Sequence, residues 1–293
     1  MRRFIRFLIL VYLLYGFSVA YSHVHFGPSR TKLLTQGQKK ISQQERIPTA
    51  KDERLVSTSE TVIAQKAGFG VRLPVLMYHY IRAGVPSSDK LGISLSVTPA
   101  AFEEQMRYLS ANGYYSVTPA DLYSSLKSKT TLPPKAIILT FDDGYRDFYT
   151  NAYPILKKYG FRSTIFMIVD WVGRDGYLTS NQLLEMQASG LVDVESHTLN
   201  HADLPILSLE KAREEIFASK TKLEAFLGKQ VSVFCYPYGA YNSSVAKMVA
   251  DAGYLLAFTT RNSQFENEAE TFYLPRVRID GTDSFATFFQ KVS

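Results

Sequence analysis

The feature that most narrows what this chain can fold into is a rhythm. From about residue 72 onward, short apolar runs alternate with stretches of helix length. The runs are "RLPVLMYHYI" (72–81), "KAIILTF" (135–141), "STIFMIV" (163–169), "VDVESH" (192–197), "VSVFCYP" (231–237), "LLAFTT" (255–260) and "FYLPRVRI" (272–279). Between them lie "VTPAAFEEQMRYLSANGY", "SVTPADLYSSL", Phe148–Tyr159, "SNQLLEMQASG", Leu209–Phe226 and "SSVAKMVADAG", and a short "SFATFFQKV" helix closes the series. Thr98-Pro99 and Thr118-Pro119 are start signals: a capping hydroxyl, then a proline where no N–H is needed. Gly113, Gly160 and Gly190 are stops. Alternation of this kind predicts a parallel sheet with helices outside it. With about seven strands, the expected form is a closed or nearly closed α/β barrel, and an open doubly wound sheet is the alternative. The "SVTPA" pair does not continue at a fixed period, so it marks two similar helix starts and not a solenoid.

A hydrophobic content of 46% and a charged content of 20% over 293 residues allow a sizeable core. The two ends differ. Arg2, Arg3 and Arg6 precede an apolar run from Phe7 to about Ala20, shorter than the ~20 residues a spanning helix needs. Residues 1–22 therefore read as a secretion signal, or as an uncleaved signal-anchor, since Tyr21 makes a poor cleavage site. In either case the remainder is expected to be exported. Residues 23–69 are rich in Gln, Ser, Thr and Lys without periodicity and read as a basic polar linker, mostly disordered. Residues 70–293 are left as a single catalytic domain. Residues 1–66 carry eleven Lys/Arg against four Asp/Glu, a net +7, which leaves −1 for the rest out of a total of +6. A nucleic-acid-binding fold carries its basic patch on the domain itself, so that class is excluded. The linker is a solvated tether or a segment lying on an anionic membrane or wall surface. Cys235 is the only cysteine, so no intrachain disulfide forms.

In parallel α/β folds the active site gathers at the C-terminal ends of the strands. Tyr78-His79, Asp142-Asp143, His197 with His201, and "YPYG" (236–239) all fall on such ends. Of five histidines, His23 and His25 sit beside the leader, and the other three lie at strand ends. A lone histidine is usually structural; three on one face of a fold are not easily so. "SHTLNH" spaces His197 and His201 four apart, which on a helical turn lets them share a metal. Asp142 or Asp143 would complete a two-histidine, one-carboxylate set. Adjacent carboxylates are costly as bare anions; a cation held by one of them relieves both and leaves the other free to accept a proton. Gly144 allows the tight turn that follows. An ion bound this way has open positions and acidifies water. The same ligand set serves non-haem iron oxygenases, although a base beside the ligand favours hydrolysis.

"TFDDGY" (140–145), "SHTLNH" (196–201) and "YPYG" (236–239), in this order on an α/β chain, resemble the polysaccharide deacetylases of the NodB-homology group, carbohydrate esterase family 4. The resemblance spans about residues 72–282. It implies a distorted (β/α)7 barrel that removes acetyl groups from N-acetylated sugar polymers. By the same resemblance Asp142 is the catalytic base, and Asp143, His197 and His201 hold a divalent metal, zinc foremost with cobalt or nickel as alternatives. Tyr238 offers the backbone N–H that helps hold the oxyanion. Two departures stand out. Cys235 occupies the place of an arginine that normally pairs with the base, and no histidine follows His201 to act as the general acid. Arg276 in "LPRVRI" is a candidate replacement for the first, with a solvent-facing arginine as the plain alternative. His79 is the histidine left for the second. "PVLMYHYI" with no later acid is similar to the poly-β-1,6-N-acetylglucosamine deacetylases of biofilm formation, in which the N-terminal strand supplies the acid. Trp171, just past "STIFMIV", is a candidate for stacking on a sugar or for packing its own loop. A monomer acting on an N-acetylglucosamine polymer is implied. Peptidoglycan or chitin as substrate, and a sugar-binding protein that has lost catalysis, stay open at this point.

Overall fold

The computed structural model describes residues 68–293. The leader and all but the end of the linker lie outside the described residues. The strands are β1 (Gly70–Arg72), β2 (Val75–Tyr78), β3 (Tyr80–Ile81), β4 (Ser96–Val97), β5 (Tyr115–Ser116), β6 (Ala136–Phe141), β7 (Ser163–Met167), β8 (Val192–Ser196), β9 (Val233–Cys235), β10 (Leu256–Phe258), β11 (Phe265–Asn267) and β12 (Val277–Arg278). The helices are α1 (Lys90–Leu95), α2 (Pro99–Ala111), α3 (Pro119–Ser128), α4 (Tyr153–Tyr159), α5 (Ser180–Ala188), α6 (Leu209–Leu227), α7 (Ser243–Asp251) and α8 (Phe285–Val292).

Seven strands form one curled parallel sheet in the order β10-β9-β8-β7-β6-β2-β12, with β5 added beside β6. This is the (β/α)7 architecture expected from the sequence. Its two edges are joined by a single stretch of chain. Leu274 bridges Phe258 on one edge, and Val277 and Arg278 pair with Leu76 and Met77 on the other.

The period-2 alternation of the strands divides the core in two. Val75, Ile138, Phe166, Val233, Cys235, Leu256, Phe258 and Leu274 pack inside the curl. Leu76, Tyr78, Leu139, Phe141, Ile165, Val194 and Phe234 face the helices. The helices meet them with residues three and four apart, as in α2, which buries Phe102, Gln105, Met106 and Leu109. Thr98 and Thr118 cap α2 and α3 through hydroxyls that accept from Ala101 and Asp121 N–H groups.

Three local expectations change. The domain opens with an antiparallel pair, β1 with β11, a small flap outside the parallel rhythm. The predicted helix over 148–159 opens with a π-helical stretch, Phe148–Ala152, before α4 begins. Pro154 follows directly and lacks the N–H that a regular ladder would use there, so Tyr153 N–H donates to the Phe148 carbonyl, five residues back. Several strands are also shorter than their apolar runs, because those runs continue into the loops that carry the site.

Candidate active site

The parallel register sets the first neighbours. Tyr78 pairs with Phe141, so His79 and Asp142 leave the sheet side by side, and Asp142 N–H still donates to the Tyr78 carbonyl at 3.0 Å. Ser196 ends β8, and His197 N–H reaches the Met167 carbonyl at 3.0 Å. On β6 the inward positions run Ile138, Thr140, Asp142. The interior therefore changes from apolar to polar toward the C-terminal mouth.

Asp142 is buried and held by Arg276. Nη1 and Nη2 donate to the two carboxylate oxygens at 2.7 and 2.8 Å, and Nη1 also reaches Thr140 Oγ1 at 3.1 Å. The guanidinium is wholly buried, with Nε donating to the Thr259 carbonyl at 3.0 Å and Nη2 lying 3.1 Å from Cys235 Sγ. The arginine is thus not solvent-facing: it fills the space beside Cys235, whose Sγ lies 3.9 Å from Asp142 Oδ2. Burial pushes the Asp142 pKa up, but the charge and hydrogen bonds of Arg276 outweigh it and hold the carboxyl well below the usual range. His79 Nε2 lies 3.9 Å from Asp142 Oδ2. Burial lowers the His79 pKa, and the two carboxylates oppose that only in part.

Asp143 turns the other way, at φ 73°, toward the two histidines. Its Oδ1 lies 3.4 Å from His197 Nε2 and 3.3 Å from His201 Nε2. His197 Nδ1 is 2.7 Å from the Cys235 carbonyl and donates its proton there, which turns Nε2 toward Asp143. Burial, then His197, holds the His201 pKa down to about 4. Asp143 Oδ1 is buried and has no hydrogen-bond partner. A buried carboxylate oxygen with no hydrogen-bond partner, facing two imidazole nitrogens, fits a divalent cation, and the donor set is one that zinc takes. The Asp143, His197 and His201 donor atoms all lie within 4.8 Å of one another.

Left-handed backbone concentrates here. Asp143, Thr198, His201 and Tyr238 have φ of 73°, 69°, 60° and 59°. Such residues persist only where their surroundings hold them. Tyr238 is exposed, and its ring stands 4.6 Å from that of His201. Trp171 is half-buried, edge-on to Tyr177 at 5.0 Å and 6.4 Å from His201, so it both packs its loop and borders the mouth.

The structure adds an aromatic wall that the sequence did not single out. Tyr80 stacks on Tyr145 at 3.7 Å, and Tyr177 follows at 5.2 Å. With Arg82, Arg146 and Asp147 they line a hollow of about 420 Å³ beside the site. Tyrosine is too common in this chain, with 19 copies, for these three to have stood out. Another hollow, about 900 Å³, lies at the other end of the strands around Arg72 and Lys135 and holds none of this cluster.

Residues 129–257 match the sequence profile of the family described as polysaccharide deacetylase. The Bacillus subtilis (strain 168) protein YxkH, provisionally named a polysaccharide deacetylase, is 36% identical over 217 residues, covering 74% of this chain and 75% of that one. The poly-β-1,6-N-acetyl-D-glucosamine N-deacetylase of Staphylococcus epidermidis is 28% identical over 237 residues, covering 74% and 81%. Among solved structures, the Streptococcus pyogenes deacetylase PplD in complex with acetate superposes with a TM-score of 0.72 at 32% identity, covering 77% of this chain and all of that one. Aligned over about three quarters of its length with such relatives, this chain belongs to the polysaccharide deacetylase family and is a deacetylase of polysaccharide.

Proposed function

We propose that the protein is a metal-dependent, exported hydrolase that removes N-acetyl groups from poly-β-1,6-N-acetyl-D-glucosamine. The observation that carries the chemistry is the meeting at one mouth of the Asp143–His197–His201 donor set with an Asp142 clamped by Arg276 and flanked by His79. The linkage is supported by relatives named for that polymer in Staphylococcus epidermidis and Staphylococcus aureus, at 28% and 31% identity. Export to the surface or medium is supported by the basic and apolar start of the sequence.

A divalent ion in the donor set, zinc foremost with cobalt or nickel as alternatives, supplies a Lewis acid for the acetamido carbonyl and for water. The side chains divide the remaining work. Asp142, kept ionised and aimed by Arg276, takes a proton from the attacking water. The water oxygen bonds to the carbonyl carbon, and the backbone N–H of Tyr238 steadies the oxyanion, a contribution worth roughly 10²–10³ in rate per donor. The departing nitrogen needs a proton, because an amide anion is a very poor leaving group. His79, 3.9 Å from Asp142, receives the proton that Asp142 took from the water and delivers it. The C–N bond breaks, and acetate and an amine leave. Product units gain positive charge at neutral pH.

Asp142→Asn is expected to keep bound metal and lose turnover, whereas Asp143→Ala loses both; metal analysis of purified protein with acetate release checks this. Equal metal content in the two variants contradicts the division of roles. The same assay on β-1,6-linked N-acetylglucosamine oligomers, chitin oligomers and wall glycan tests the linkage, and faster release from either of the last two overturns it.

A further inference from the structure

The loop that presents the two histidines is held from behind. Glu215, half-buried on α6, sends its carboxylate into the turn between them. Glu215 is not one of the Asp143–His197–His201 donors; its Oε2 accepts from the backbone N–H groups of Leu199 and Asn200, both at 2.9 Å. Its Oε1 accepts from Asn200 Nδ2 at 3.1 Å. The carbonyls of Thr198 and Leu199 in turn accept from Val169 and Asp170 N–H at 3.1 and 3.0 Å. Lys222, also on α6, bonds Asp170 Oδ1 at 2.8 Å. One helix therefore ties down both loops at this side of the mouth.

The tie has a task. Thr198 and His201 both stand in left-handed backbone, at φ 69° and 60°. Non-glycine residues are disfavoured there, because Cβ crowds the following carbonyl oxygen. Thr198 Oγ1 accepts from His201 N–H at 2.9 Å, which closes the turn from within. The two N–H groups between them point outward and need an acceptor. An ionised carboxylate taking both is a charge-assisted pair, stronger than neutral partners would give. Without it the turn can relax, and relaxation rotates His201 away from Asp143 and His197.

We infer that Glu215 is a positioning residue for the metal site: it touches neither ion nor substrate and keeps the two-histidine turn in its strained, ligand-presenting form. The inference rests on the metal-dependent reading above. The test uses the full-length chain and the variants Glu215→Ala and Glu215→Gln. Zinc affinity is measured by competition with a chromophoric chelator, and the visible spectrum of the cobalt-loaded protein reports ligand geometry. Glu215→Ala is expected to weaken zinc binding about 10–100-fold, the range seen for residues that orient ligands from behind. Glu215→Gln, with a neutral acceptor oxygen, falls between. Saturating zinc restores most of the turnover with the substrate KM unchanged, and the metal-free forms melt close to the wild type. Unchanged zinc affinity and cobalt spectrum in both variants overturn the inference. So does a large fall in the melting temperature of both metal-free variants, which makes Glu215 a general structural tie. A wild-type chain that takes up neither zinc nor cobalt sinks the metal reading itself, a failure visible before any variant is compared.

Discussion

Arg276 and Asp142 lie 134 positions apart, yet each gives the other its meaning. An arginine carried wholly inside a barrel is stable only against a carboxylate, and a carboxylate there stays ionised only against a cation. Such a pair adds little over an apolar filling, but breaking it by removing one partner is costly. Arg276→Met is expected to lower stability by about 3–5 kcal/mol and to reduce turnover sharply, as read by urea unfolding at neutral pH and by acetate release. The acid limb should move with it. Because the Asp142 pKa is depressed in the folded protein, its stabilising contribution is present above the normal carboxylate range and is lost only as pH falls below that range. Without Arg276 the depression disappears and acid unfolding begins at a higher pH. Wild-type stability and an unmoved acid limb would show that the pair is dispensable. The sequence offered Arg276 only as a substitute for an absent motif residue. Nothing in "LPRVRI" says that the first arginine is buried and the second, Arg278, half-exposed.

Among the elements, the turn after β6 is the most tightly specified. Gly144 has φ 81°, and a Cβ there would stand 2.2 Å from Met167 Sδ in the core beside β7. Gly144→Ala is expected to cost roughly 1–3 kcal/mol by overpacking, with a larger loss of turnover, since Asp142 and Asp143 sit directly before it. Thermal melts and acetate release check both. The β1–β11 flap was hidden in the sequence because strands of three residues show no usable periodicity. It carries an unusual group: Glu266 is fully buried, and neither of its carboxylate oxygens has a partner. Burial raises its pKa to about 9. The sign is opposite to that of Asp142. The folded state favours the protonated form, so Glu266 costs least at acid pH, and its cost grows as pH rises from the unfolded carboxylate range toward 9. Glu266→Gln is expected to raise the melting temperature at pH 8 and to flatten its fall between pH 5 and 9. Parallel pH–melting curves for the two proteins would remove this account. The helix starts at Thr98 and Thr118, by contrast, were legible because a hydroxyl and a proline act on their own first turn.

For the molecule as a whole, closure depends on one stretch. Leu274 to Arg278 crosses from the β10 edge of the sheet to the β2 edge and carries Arg276 into the middle. Leu274 is fully buried inside the curl. Leu274→Ala is expected to cost about 2–5 kcal/mol. Trp171 is the only tryptophan and borders the mouth, so its fluorescence reports the site while far-UV circular dichroism reports the barrel. The two transitions should coincide in the wild type and shift together in the variant. Early loss of the fluorescence signal would make the mouth a separate, weaker unit.

By itself the sequence determined the alternation of strand and helix, the caps and the presence of Asp142, Asp143, His197 and His201 at strand ends. These follow from short-range chemistry: periodicity, hydroxyl caps, proline geometry and the polarity break where a buried strand meets water. Only the tertiary structure decided which of the paired aspartates faces Arg276 and which the histidines, that Cys235 leaves room for an arginine from another strand, and that Glu215 braces the histidine turn. Those choices depend on register, on which way successive side chains point and on how the sheet edges meet, and all three are set by contacts between residues far apart in the chain.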